Sequence, residues 1–143
     1  MGPRGDCYSP SAALAREDAR AFHRVASRRI APADFVLVST MPPVSEARGI
    51  VDVLPVPCFV SFVITTRGRL LDGMPWRDAI ARIDDAALAA PLGYWINCVH
   101  PQSVIEGLAA VGDDVALERV LGGARQHLPP RSANVLQCRR FCR

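Results

Sequence analysis

The chain has 143 residues, half of them hydrophobic, with a formal net charge of +3. That length supports one domain with a real core, and the composition is globular rather than disordered. No apolar run approaches the roughly 20 residues of a membrane helix, and the start Met1-Gly2-Pro3-Arg4-Gly5-Asp6 lacks the apolar stretch of a secretory signal, so a cytoplasmic protein without membrane contact is expected.

Residues 1–11 read as a loop, because Gly, Pro, Asp and Ser dominate. Ser11 is a candidate N-cap for a helix from Ala12 to Ile30, whose apolar face would hold Leu14, Phe22, Val25, Ala26 and Ile30. Pro32 closes it. Phe35-Val36-Leu37-Val38 is a continuous apolar run, as expected of a strand buried on both faces. A helix follows from Val44 to Leu54, and Pro55 and Pro57 end it. The next buried strand is Cys58 to Ile64, and a polar loop follows from Thr65 to Pro75. Trp76 to Ala90 reads as a helix, with Pro75 suited to its first turn. Tyr94 to Asn97 is a third strand and Gln102 to Ala110 a further helix. Val115 to Leu121 is apolar again and is a candidate start for a fourth strand. Strands alternating with helices predict an α/β fold with a parallel sheet.

Five cysteines occur, Cys7, Cys58, Cys98, Cys138 and Cys142. An odd, scattered set argues against a disulfide framework. Cys58 reads as a core residue and Cys7 as a loop residue. Cys98 differs: Ile96-Asn97-Cys98-Val99-His100-Pro101 puts a thiol at the C-terminal tip of a buried strand. In a parallel α/β barrel that end carries the chemistry. Asn97 would either orient this loop or simply form its turn, and His100 reads as a turn residue. Ser61 and Thr65, within and just after the second strand, are candidates to line a pocket. His23 reads as a surface or packing residue, Trp76 and Trp95 as helix-face and core packing. All 17 basic residues are arginine, and residues 122–143 hold five of them with no acid. That tail has one aromatic, Phe141, and no recognition motif, so no nucleic-acid partner is expected.

Several segments together resemble the homocysteine S-methyltransferase family. They are Gly2-Pro3-Arg4-Gly5-Asp6-Cys7-Tyr8, Ala21-Phe22-His23-Arg24, Thr40-Met41-Pro42 with Glu46-Ala47, Val60-Ser61-Phe62, Gly68-Arg69-Leu70-Leu71-Asp72-Gly73, Ala79-Ile80 and the run Ile96 to Pro101. They are collinear over about residues 2–110. The resemblance implies a (β/α)8 barrel, zinc held by three cysteine thiolates, and methyl transfer from a donor to homocysteine, giving methionine. The donors of such enzymes include S-methylmethionine, S-adenosylmethionine, betaine and methylfolates. By position, Cys98 is the first zinc ligand, at the end of the sixth barrel strand. Ser39, Ser61, Thr65 and Asn97 are the expected substrate-side residues.

The chain also departs from the family. The Gly-Gly-Cys-Cys motif that holds the other two ligands is absent, and Cys138 and Cys142, separated by three residues in an Arg-rich context, are not assigned to that role. Ser39 stands where the family usually has a glutamate, so the charge that would grip the substrate ammonium is missing. A complete barrel takes about 250 residues, and residues 1–121 would supply roughly strands four to six of it. The family usually continues into Ala-Asn-Thr-Ser, and those codons read one base out of phase can give Arg125-Gln126-His127-Leu128-Pro129. A shift of frame near Gly122 is therefore expected to have produced the tail 122–143. The resulting expectation is a partial, truncated barrel, a methyltransferase by resemblance and inactive alone. The alternatives are a metal-free remnant or small binding module, and a half-barrel completed by another chain.

Overall fold

The computed structural model describes residues 1–85, 89–112 and 115–123. A short 3-10 turn at Pro10–Ala12 precedes α1 (Arg16–Ser27), β1 (Val36–Met41), α2 (Val44–Val51), β2 (Cys58–Phe62), α3 (Trp76–Asp84), β3 (Gly93–Ile96), α4 (Pro101–Val111), α5 (Val115–Glu118) and β4 (Val120–Gly123). The strands form one four-stranded sheet in chain order, β1-β2-β3-β4, and every neighbouring pair is parallel. The α/β alternation read from the sequence is the observed one. No helix among the described residues is long and apolar enough to cross a membrane.

The boundaries moved for identifiable reasons. The helix expected from Ala12 starts only at Arg16, and Ser11 lies in the 3-10 turn rather than capping it. The buried carboxylate of Glu46 accepts the Arg4 amide at 2.7 Å and the Leu14 amide at 3.2 Å, so this stretch of chain is bent around α2 instead of coiling. Residues after Val51 continue in tighter turns, with Val53 and Leu54 amides donating to the carbonyls of Ile50 and Val51. The helix expected to reach Ala90 ends at Asp84, and residues 86–88 lie outside the described set. The apolar stretch 115–121 does lead into the fourth strand, but a helical turn at Val115–Glu118 comes first, and β4 starts only at Val120 and crosses the expected boundary at 121.

Alternation sorts each strand onto two faces. One face carries Val36, Val38, Val60, Phe62, Tyr94 and Ile96, all buried in a core with Ala47, Ile50, Ala79, Ile80 and Ile83 of α2 and α3. Trp76 stands edge-on between Phe62 and Tyr94, with ring centroids at 6.2 and 6.5 Å. The opposite face carries a row of Phe35, Phe59 and Trp95. Trp95 was expected in the core, yet it is 37% exposed, because its strand position points away from the helices. At the strand starts, Asp84 accepts the Tyr94 hydroxyl at 2.7 Å and the Arg119 Nε at 3.1 Å. Arg119 also donates to the Pro91 carbonyl and lies 5.6 Å over the Tyr94 ring. This clamp ties β3 and the start of β4 to the end of α3.

Helix α1 packs on α2 through a stripe of Ala19, His23 and Ser27, spaced four apart. Gly49 makes that approach possible, because a Cβ there would lie 2.5 Å from both the Ala19 Cβ and the Arg16 carbonyl oxygen. Helix propensity alone would favour alanine in α2 by about 1 kcal/mol. Overpacking of this kind costs about 1–3 kcal/mol, and one of the two contacts is backbone. Gly49→Ala is therefore expected to lower the urea midpoint, and an unchanged or raised midpoint would overturn this account of the helix pair.

His23 is buried beside Glu46, its Nε2 3.6 Å from Oε1. Burial lowers its pKa below the ordinary histidine value, and the nearby carboxylate only partly offsets this. The neutral ring is thus favoured by folding. The unfolded chain binds the proton first, so this contribution is intact above about pH 6.5 and is lost as pH falls through the lower, folded pKa. Thermal unfolding followed between pH 7.5 and 5 should show this loss, and His23→Gln should flatten it. Equal slopes in the two proteins would remove His23 as the cause.

Candidate functional site

The C-terminal ends of β1, β2 and β3 bring four of the expected residues together. Ser61, fully buried on β2, accepts the Thr40 amide at 2.8 Å. Asn97 follows β3, and its Nδ2 donates to Ser39 Oγ at 3.2 Å and to Thr40 Oγ1 at 3.0 Å. The Ser39 and Thr40 hydroxyls are 3.1 Å apart. Cys98 Sγ lies 3.5 Å from Thr40 Oγ1 and the residue is exposed. Tyr8 closes the cluster by donating its hydroxyl to the Cys98 carbonyl at 3.0 Å. Local desolvation, and after it the neighbouring Cys98 and Cys7 sulfurs, hold the Tyr8 phenol above its ordinary pKa, so it is a neutral donor at pH 7.

Two backbone features aim these groups. The β1–β2 register shifts between Val38 and Met41, so Ser39 and Thr40 form a bulge. Thr40 has φ 55° and Cys98 φ 57°. Both are left-handed conformations, and for a β-branched residue such as threonine this is a true outlier. Each costs on the order of 1–3 kcal/mol and persists only where its surroundings fix it. Here the fixing groups are Ser61 on the Thr40 amide, Asn97 on the Thr40 hydroxyl and Tyr8 on the Cys98 carbonyl. Sequence reading placed Asn97 inside β3. The strand ends at Ile96, though the Asn97 amide still donates to the Phe62 carbonyl at 3.2 Å before the chain turns over at Cys98.

Other expected residues are engaged elsewhere. Thr65 lies in the loop after β2, where its hydroxyl donates to the Arg69 carbonyl at 3.0 Å and accepts the Arg69 amide at 3.3 Å. Its hydroxyl closes its own loop instead of joining the cluster's hydrogen bonds. His100 is the N-cap of α4, its ring nitrogen accepting the Gln102 amide at 3.2 Å. Cys58 is buried in the core, and burial pushes its thiol up to about 11. Thr40 and Tyr8, which the sequence did not mark as site residues, complete the cluster. Thr40's place after a strand was a signal, but its backbone conformation was not legible.

Zinc chemistry of the family's kind needs three protein ligands and an open position. Among the described residues no group of three His, Cys, Asp or Glu side chains comes together. Cys98 stands with hydroxyls and an amide, and Cys138 and Cys142 lie outside the described residues. The described residues therefore do not by themselves fit a zinc ion.

A parallel α/β sheet with its reactive side chains gathered at the strand C-termini defines the class of protein. The homocysteine S-methyltransferase family model matches residues 1–132, and the chain belongs to that family. No curated protein and no solved structure matches it.

Ser61 gives a direct test of the bracing. Ser61→Ala leaves the buried Thr40 amide without an acceptor, at a cost of about 1–3 kcal/mol. A denaturant midpoint equal to that of the parent chain would mean that Ser61 does not hold the bulge.

Proposed function

We propose that this chain is an incomplete homocysteine S-methyltransferase barrel, which contributes Cys98 as one of three zinc-ligating thiolates and transfers no methyl group alone. The single observation carrying the reading is the family match over residues 1–132 together with Cys98 at the C-terminal end of β3. Four parallel strands in chain order support a contiguous part of a (β/α)8 barrel. The aromatic row on the face away from α2 and α3 supports a sheet that a complete barrel would fill with side chains from further strands.

In this reading homocysteine and a methyl donor meet above the cluster of Ser39, Thr40, Ser61 and Asn97. Ser39 offers a hydroxyl where a carboxylate would bind an ammonium group ionically, so amino-acid binding through this position is weak. The other two thiolates and the remaining strands lie outside the described residues, and a complementing chain is one way to supply them. The three described cysteines are free thiols, which suits the reducing cytoplasm. The second reading, a metal-free remnant or binding module, is favoured by the single described thiol at the site.

The test is zinc analysis and a methyl-transfer assay on the purified chain, with and without a chain that supplies the missing strands and a Gly-Gly-Cys-Cys segment. The chain alone should produce no methionine. The pair should bind about one zinc and produce methionine, and Cys98→Ser should abolish both. Turnover by the chain alone, or zinc retained by the Cys98→Ser pair, would overturn the proposal. A pair that assembles without zinc would establish the metal-free reading instead.

A further inference from the structure

We infer that Thr40 is the positioning residue for the Cys98 sulfur: its hydroxyl donates to Sγ and holds the thiol at the rim formed by the ends of β1 and β3. The inference rests on Cys98 being the sulfur that matters in this family member, but not on zinc or methyl transfer.

Proton accounting carries the argument. The Asn97 amide nitrogen has two hydrogens, and its two acceptors are Ser39 Oγ at 3.2 Å and Thr40 Oγ1 at 3.0 Å. The Thr40 oxygen is thereby an acceptor toward Asn97, and its own hydrogen is free to donate. Two atoms are within reach, Ser39 Oγ at 3.1 Å and Cys98 Sγ at 3.5 Å. Ser39 Oγ accepts from Asn97 and gives its own hydrogen to Thr40 Oγ1, whose second lone pair is open, which leaves the Thr40 hydrogen for the sulfur. The Tyr8 hydroxyl also neighbours the Cys98 side chain, but it gives its proton to the Cys98 carbonyl, so Thr40 is the hydroxyl of the cluster left to donate to the sulfur. The reverse orientation of the Asn97 amide would bury an NH2 group without an acceptor. The orientation seen leaves Oδ1 as the buried unpartnered atom, and an under-satisfied carbonyl is the better tolerated of the two.

The backbone points the same way. The bulge at Ser39 and Thr40 and the φ of 55° are a strained route for a threonine. Four contacts surround it: the Ser61 hydroxyl on its amide, and Ser39, Asn97 and Cys98 on its hydroxyl. An ordinary extended residue at position 40 would place its side chain along the strand's alternation and away from the sulfur's neighbour. A structural threonine has no need of this geometry, whereas a donor for Cys98 does.

The experiment measures alkylation of Cys98 by iodoacetamide, followed on the Cys98 peptide by mass spectrometry. It is read on the pH-independent plateau, so that ionisation of the thiol does not enter. A donor on a thiolate withdraws charge and slows its attack, so removing the donor speeds it. Thr40→Val removes the hydroxyl with little change of volume. Thr40→Gly removes it with a residue that adopts positive φ freely, and so keeps the test available if the valine variant does not fold. Thr40→Ser keeps the donor. Val and Gly should raise the plateau rate by about threefold or more, the roughly tenfold or greater effect of a hydrogen bond to a charged group scaled by a thiolate Brønsted slope of about 0.4–0.5, and Ser should leave it near the parent value. A rise in Gly alone with Val unchanged would mean access rather than donation, and would overturn the inference. So would parent-like rates in both, or equal rises in Ser and Val. None of these outcomes depends on zinc content or methionine formation, so failure here and failure of the methyltransferase reading are separable.

Discussion

The hydrogen bond from the Thr40 amide to the Ser61 hydroxyl, 2.8 Å long and fully buried on the serine side, fixes the geometry on which the rim depends. It crosses from β1 to β2 at the point where the ladder loses register. In a regular parallel pair that amide would have a carbonyl partner. The bulge removes it, and a side chain takes its place. Once Thr40 is anchored in this way its hydroxyl faces β3, and Asn97 and Cys98 can reach it. Three strands thus meet through side chains at their ends, where the sheet's own hydrogen bonds have run out.

A second constraint lies behind the sheet. Glu46 is fully buried, and a carboxylate there must be satisfied. It is satisfied by backbone amides of Arg4 and Leu14, residues that belong to the segment before α1. That segment is consequently wrapped around the start of α2, and it carries Tyr8 to the Cys98 carbonyl and Met1 to the edge of β1. There the Met1 amino group donates to the Leu37 carbonyl, and the Met1 carbonyl accepts the Ser39 amide. The same side chain sits beside His23, so the contact of α1 with α2 and the path of the first fifteen residues answer to one buried carboxyl group. The close approach at Gly49 completes this arrangement, since a bulkier residue would push α1 away from the carboxylate it lies against.

Much of this was legible in the sequence. Runs such as Phe35–Val38 and Cys58–Ile64 are continuous because parallel strands lie between other layers, and they marked the strands well. The residues gathered at the rim, Ser39, Ser61, Asn97 and Cys98, follow from strand ends and from the family resemblance. What escaped was set by tertiary contacts. Residues 115–121 form an apolar run too short for periodicity to separate a helical turn from a strand. Leu14 reads as a helix residue until its amide is claimed by Glu46. Thr65 sits in the loop beyond β2 as expected, but its hydroxyl is consumed by Arg69. Thr40 was visible as a residue, whereas a left-handed threonine has no signature in sequence. The Arg-rich segment beyond Gly123 and the shift of frame inferred for it lie outside the described residues.

The two faces of the sheet carry different consequences. The face toward α2 and α3 is saturated: Trp76, Tyr94 and Phe62 are fully buried and pack edge to face. The other face holds Phe35 at 57% exposure and Trp95 at 37%. Isolated exposed aromatics are unremarkable, but a row running across β1, β2 and β3 is a continuous apolar strip. A parallel sheet normally has both faces covered. In a closed barrel this second face becomes the interior and is filled by side chains from the remaining strands. In the proposed barrel this strip would be part of the inner wall. At the C-terminal end of this face, hydroxyls, an amide and a thiol replace hydrocarbon. The position of Cys98 follows from this arrangement: it lies where the apolar lining ends and the sheet's last backbone hydrogen bond, from Asn97 to Phe62, has been made.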